Sequence, residues 1–232
     1  GASVAFTSRD KSSLKSTMKM LKNHSQHFPC QIDLSNKKNI SKFKDLIKKK
    51  FGDIDILVNN IGHTLNIKDP FAPIDKWEKT MNLNFFTSVN LINKFIGSMK
   101  RKNWGRIINI TSVAGMEVSG PSTFNASKAA LTAYSKSVGR ALAIQKKNVV
   151  MTAVAPGVIV TKKGHWNFKT SKSKHAKNYL KNRTALGRFG TMEELTGIIV
   201  FLSSDHASFF HGSIIHADGG HSKHYMSDTY LK

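Results

Sequence analysis

The 232-residue chain is 40% hydrophobic and 22% charged, close to a globular average, which excludes disordered and low-complexity architectures and fits one domain over 1–232. No apolar run approaches the roughly 18 residues of a membrane helix. Gly1–Asp10 does not read as a signal peptide, and the lone Cys30 excludes a disulfide scaffold and fits a reducing compartment, with the cytoplasm as expected location.

In chain order, Ala2–Thr7 reads as a strand and Lys11–Leu21 as a helix, followed by a second strand near Cys30–Ile32. Asn39–Lys50 carries Ile40, Phe43, Leu46 and Ile47 at helical spacing. Ile54–Val58 is a short strand, and Trp77–Met99 contains one long amphipathic helix. Arg106–Ile110 is a strand, Phe124–Ile144 a long helix and Val149–Val154 a strand. Glu193–Leu202 is a helix, and Ser213–His216 a last strand before Asp218-Gly219-Gly220. This alternation predicts an α/β fold, a single doubly wound Rossmann-type parallel sheet with helices on both faces. Thr161–Gly190 is too long for a simple loop and reads as a partly helical lid carrying Lys162, Lys163, His165, Trp166, Phe168 and Tyr179.

Charge is the compositional outlier: 36 Lys and Arg against 14 Asp and Glu give +22. The basic residues are scattered, with short clusters at Lys48–Lys50 and Lys162–Lys163 and no zinc-finger spacing or aromatic RNA-binding pattern. A nucleic-acid partner is therefore disfavoured against a lysine-rich enzyme surface that attracts anionic, phosphate-bearing ligands.

Right-handed crossovers place the carboxyl ends of parallel strands on one edge, where ligands bind. In this chain those ends carry Ser8-Arg9, Asp33-Leu34, Asn59-Asn60-Ile61-Gly62, Thr111-Ser112 and Pro156-Gly157 with Ile159 and Thr161. Each alone is ordinary turn chemistry, but five in register point to a binding edge.

With Asn84, the Asn125-Ala126-Ser127-Lys128 segment, Gly187-Arg188 and Asp218-Gly219-Gly220, these motifs resemble the short-chain dehydrogenase/reductase family over nearly the whole chain, in particular members of the 3-oxoacyl-carrier-protein reductase type. The resemblance implies a nicotinamide dinucleotide and hydride transfer to or from a carbonyl or alcohol carbon of a small molecule, an anionic one suiting the basic surface. It places Asn60, Ile61 and Gly62 along the adenosine ribose and Asp33 and Leu34 at the adenine. Pro156, Gly157, Ile159 and Thr161 would hold the nicotinamide end, and Lys128 the nicotinamide ribose. Ser112 would bond the substrate oxygen and Asn84 a relay water. Ser8 stands where NAD-specific members carry an acid, and Arg9 can pair with a 2′-phosphate, so NADP(H) is expected over NAD(H). A homotetramer is also implied, with Phe85, Phe86, Leu131 and Tyr134 of the two long helices as interface candidates.

Two departures stand out. The family opens with a strand and a glycine-rich turn, whereas Gly1 matches the residue before its second strand, so a front segment of roughly 25 residues is expected to be missing from this sequence. Phe124 occupies the position, four residues before Lys128, where the family has its catalytic Tyr. Residues 124 and 128 share a helix face, and Phe cannot carry a proton. Turnover is expected to be slow by about a hundred- to ten-thousand-fold, and the alternative reading is an impaired dinucleotide-binding or assembly protein that keeps the fold. Trp77, Trp104 and Cys30 read as packing, Tyr134 as packing or subunit interface, and Trp166 as the better candidate among the tryptophans for a substrate contact. His216, His221 and His224 match no zinc spacing, so no metal is expected.

Overall fold

The computed structural model describes residues 1–162, 166–167 and 169–221. Lys163, His165, Phe168 and His224, named above, lie outside the described residues. The elements run β1 (Ala5–Ser8), α1 (Lys11–Met20), β2 (Phe28–Gln31), α2 (Lys37–Phe51), β3 (Ile56–Asn59), α3 (Ile74–Met81), α4 (Thr87–Lys102) and β4 (Gly105–Ile110). They continue with α5 (Ser122–Ile144), β5 (Val149–Pro156), α6 (Lys174–Arg183), α7 (Met192–Leu202) and β6 (Ile214–Ala217).

The strand pairing is parallel throughout, as the alternation of strands and helices requires. Hydrogen bonding divides it into a β1-β2 ladder and a four-stranded β3-β4-β5-β6 ladder. In the larger ladder Ile56 pairs with Arg106, Gly105 with Val149 and Ala153 with Ile214. Every residue of β4 and β5 is buried, the pattern of parallel strands covered by helices on both faces. Alternation then sorts the side chains. Ile107, Val149 and Met151 join Ile40, Phe43, Ile47, Leu91 and Phe95 on one face, while Ile108, Ile110 and Val154 join Leu195 and Leu202 on the other.

Local chemistry sets the element ends. Asn36 caps α2 through Lys38 N–H, and α2 stops at Gly52, whose φ of 75° suits glycine. Thr191 and Glu194 form a reciprocal capping box at the start of α7. Arg188 grips the same Glu194 at 2.7 Å and, with the cap, holds that carboxyl below its ordinary range.

The structure corrects three readings. The first strand is Ala5–Ser8, not Ala2–Thr7, because Gly1–Val4 is exposed; Ser8 therefore closes the strand and is not the turn after it. The single helix read over Trp77–Met99 is instead α3 and α4 joined by a π-turn at Asn82–Phe86. Of the four interface candidates only Phe86 is exposed, at 48%. Leu131 is fully buried in its own subunit, and Tyr134 packs edge-on against Phe85. The packing assignments agree with the structure: Cys30 is buried, and Trp104 lies under Arg106 and donates to Asp205.

Candidate active site

The strand carboxyl ends gather most of the expected residues. After β4, Ser112 is extended and its Oγ accepts from Ala114 N–H at 3.1 Å, starting a short turn over Val113–Gly115. Gly115 lies so close to α5 that a Cβ there would sit 2.7 Å from the Lys128 carbonyl carbon. A glycine is needed at that contact, which draws the Ser112 turn onto α5 at the level of Lys128.

Lys128 is 4% exposed, and its Nζ donates to Ile110 O at 2.8 Å. Burial pushes its ammonium down to about 8. A Cβ at Gly62 would sit 2.9 Å from Lys128 Nζ and 3.1 Å from Asn84 Oδ1, so Gly62 marks the point where the two side chains converge. The π-turn allows this. It widens the helix at Asn84, whose Nδ2 donates back to Thr80 O and to His63 O, both at 3.0 Å. Asn84 Oδ1 accepts from His63 N–H at 2.8 Å, so the amide also pins the loop after β3.

The Phe124 ring lies 5.8 Å from Lys128 Nζ, the one-turn spacing expected on α5. Its face offers the ammonium a cation–π contact and no acid or base.

The residues expected on the dinucleotide side divide. Asp33 accepts from Ser35 N–H and Oγ at 2.9 and 2.7 Å. Those bonds, with a smaller contribution from the Arg9 charge, hold its carboxyl below the ordinary range. Leu34 is 5% exposed, so its side chain belongs to the core. Asn82 Nδ2 donates to Ser35 O at 2.8 Å and ties this loop to the π-turn beside Asn84. Asn60 is exposed, and Ile61 packs on the core. Pro156 ends β5; a Cβ at Gly157 would press 2.8 Å from Asp218 Cα. Ile159 bridges Gly190, and Thr161 N–H donates to Trp166 O at 3.1 Å. Val158, Ile159, Arg188, Gly190 and Asp218 line a cavity of about 270 Å³ beside this strap.

Sequence reasoning missed two sets of polar residues. Asn59, Asn109 and Ser135 form a buried chain, with Asn59 Nδ2 donating to Asn109 Oδ1 and Asn109 Nδ2 to Ser135 Oγ, each at 2.8 Å. The second set is Ser119, Tyr179 and His221, mutually within 3.3–3.5 Å. Only the placement of Asn59 and His221 beside recognised motifs could have signalled either. Among the described residues no group of three His, Cys, Asp or Glu could hold a metal ion. No helix among them is long and apolar enough to cross a membrane.

A parallel α/β sheet with a buried lysine, a serine and an asparagine at its carboxyl edge defines the class: a Rossmann-type oxidoreductase. The family follows from comparison. A model described as "Enoyl-(Acyl carrier protein) reductase" matches residues 1–222, and the chain belongs to the short-chain dehydrogenase/reductase family. It is 33% identical over 191 residues to the 3-oxoacyl-[acyl-carrier-protein] reductase of Aquifex aeolicus, covering 82% of this chain and 74% of that one. The crystal structure of L-sorbose reductase from Gluconobacter frateurii with NADPH and L-sorbose is 25% identical, with a TM-score of 0.85 over 97% of this chain and 89% of that one. A 7α-hydroxysteroid dehydrogenase bound to NADH and 7-oxo glycochenodeoxycholic acid is also 25% identical, with a TM-score of 0.83 over 97% and 86%.

Proposed function

We propose that this chain is an NADP(H)-dependent oxidoreductase that moves a hydride between nicotinamide and a carbonyl or hydroxyl carbon of a small molecule. The observation that carries the reading is the convergence of Lys128 and Asn84 on Gly62, a cradle that a single methyl group would fill. An ammonium has three donors, and Ile110 O accepts one of them; the other two suit the hydroxyls of a ribose. The dinucleotide, when bound, supplies the hydride. Lys128 binds and orients it, Ser112 presents a hydroxyl to the substrate oxygen, and Asn84 holds the Gly62–His63 loop in place.

Arg9, exposed directly after β1, favours a ligand with a 2′-phosphate, since a guanidinium pairs with phosphate through two hydrogen bonds. The relative from Aquifex aeolicus makes a 3-oxoacyl thioester the first substrate class to examine, and the +22 charge favours an anionic carrier for it. The segment 161–190 acts as the substrate lid, and the active form is a homotetramer. NADPH oxidation with a panel of 3-oxoacyl thioesters, ketoses and oxosteroids, run beside a dinucleotide titration, tests the reading. Turnover of any panel member with tighter binding of NADPH than of NADH is the expected result.

Phe124 favours a second reading, a dinucleotide-binding or assembly protein without turnover. Saturable NADPH binding with no oxidation by either the native chain or Phe124→Tyr, across the whole panel, would select it.

A further inference from the structure

The chain lacks a phenol at position 124 but carries one on another element, linked to that position through Ser119 and Gly120. Tyr179 lies on α6, half-buried, and its ring stacks on His221 with centroids 5.6 Å apart and planes 30° apart. Its hydroxyl is 3.5 Å from His221 Nδ1 and 3.5 Å from Ser119 Oγ, and Ser119 Oγ is 3.3 Å from His221 Nε2. His221 is 1% exposed, so both ring nitrogens face this cluster and not bulk water. Such distances are long for hydrogen bonds, as catalytic contacts often are before a ligand draws them in.

The cluster is one residue removed from the neighbourhood of the lost phenol. Gly120 follows Ser119, and a Cβ there would lie 3.4 Å from Phe124 Cδ1 and 3.0 Å from Asn125 Oδ1. Gly120 therefore faces the Phe124 ring across the width of one methyl group, and its neighbour Ser119 meets the Tyr179–His221 pair. Trp166 and Phe189 complete an aromatic wall, their centroids 5.1 and 6.4 Å from that of Tyr179.

We propose that Tyr179, held by Ser119 and His221, is the proton donor that stands in for the missing phenol at position 124. The proposal rests on the oxidoreductase reading above. In the reducing direction the carbonyl carbon receives a hydride from a dihydronicotinamide, and the carbonyl π pair becomes a lone pair on oxygen. That oxygen takes the proton of Tyr179: the phenol O–H bond breaks and the substrate O–H bond forms. Hydrogen bonds from the Ser119 hydroxyl and a protonated His221 nitrogen hold the phenolate. It regains its proton from water, which the half-exposed ring admits. Burial keeps the phenol above its ordinary range and the Ser119 bond opposes that, so the resting group is protonated and ready to donate.

Four chains test this: native, Tyr179→Phe, Phe124→Tyr and the double variant, each assayed with NADPH and a 3-oxobutanoyl thioester, L-sorbose and a 7-oxosteroid. Tyr179→Phe is expected to lower native kcat about a hundredfold, the low end for a general acid, with the NADPH Kd within about twofold. In the Phe124→Tyr background the same change should cost less than about threefold, because a phenol at 124 bypasses it. Independently of activity, Ser119→Ala should raise the titration midpoint of the Tyr179 phenol, read as the ultraviolet difference between chains with and without Tyr179. Equal losses in both backgrounds would mark Tyr179 as structural and overturn the proposal, as would unchanged kcat in Tyr179→Phe. Turnover by Phe124→Tyr alone would overturn it while leaving the oxidoreductase reading intact. Absence of both turnover and NADPH binding in all four chains would overturn both.

Discussion

Replacing Lys128 with Met separates what the fold wants at this position from what the function wants. Burial lowers the ammonium from 10.5 to about 8, and about 1.4 kcal/mol per pH unit makes the cost of the buried charge about 3 kcal/mol at neutral pH. Met removes that cost and fills similar volume, but it leaves Ile110 O without its donor, a loss of about 1–3 kcal/mol. The variant should therefore be as stable as the native chain at pH 7, or more stable by up to about 2 kcal/mol. The sign with pH follows from linkage. Between about 8 and 10.5 the unfolded chain holds the Lys128 proton and the folded chain has lost it, so native stability rises with pH across that window. The advantage of Met should be largest below pH 8 and gone by about 10.5. Urea unfolding of both chains at pH 7 and pH 10.5, with an NADPH titration at pH 7, measures all three quantities. NADPH affinity should fall at least tenfold, the loss of one charged hydrogen bond. A Met variant several kcal/mol less stable at pH 7 would show that the buried ammonium is not a net cost to the fold, and one that binds NADPH normally would show that Lys128 does not hold the dinucleotide.

Gly62→Ala should lower stability by about 1–3 kcal/mol and weaken NADPH binding, because its Cβ would stand 2.9 Å from Lys128 Nζ; thermal unfolding and titration check this. Arg9→Ala should weaken NADPH about ten- to a hundredfold and leave NADH unchanged, the worth of a charge-assisted pair, read by parallel titrations. Phe124→Tyr should raise kcat about a hundredfold with little change in NADPH affinity. Trypsin should cut α6, which buries only Ala176, faster than α5 in the free protein and more slowly once NADPH is added.

Much of this was legible in the sequence because each strand end carries its chemistry within a few residues of an apolar run. Asn60-Ile61-Gly62, Ser112 and Pro156-Gly157 could be placed on one edge by counting alone, and the helical spacing of Phe124 and Lys128 put ring and ammonium on one face. What counting could not reach was long-range. The π-turn at Asn82–Phe86 breaks no composition rule; it is fixed by the bonds Asn84 makes to Thr80 and His63. Leu131 fits an interface by pattern and is fully buried within its own chain. Ser119, Tyr179 and His221 are separated by as many as 102 residues, and only the path of the chain over the sheet edge brings them together.

Hydride transfer at the Lys128–Asn84 cradle is the activity proposed for this chain. The direct measurement uses NADPH carrying deuterium on the transferable position of nicotinamide C4 and a 3-oxoacyl thioester, with the product read by mass spectrometry. Native chain and Phe124→Tyr should both yield the 3-hydroxyacyl thioester with deuterium on the carbinol carbon, the variant faster, and Lys128→Met should yield little. Saturable NADPH binding by native and Phe124→Tyr chains, with no deuterated alcohol from any thioester, ketose or oxosteroid offered, would contradict the account.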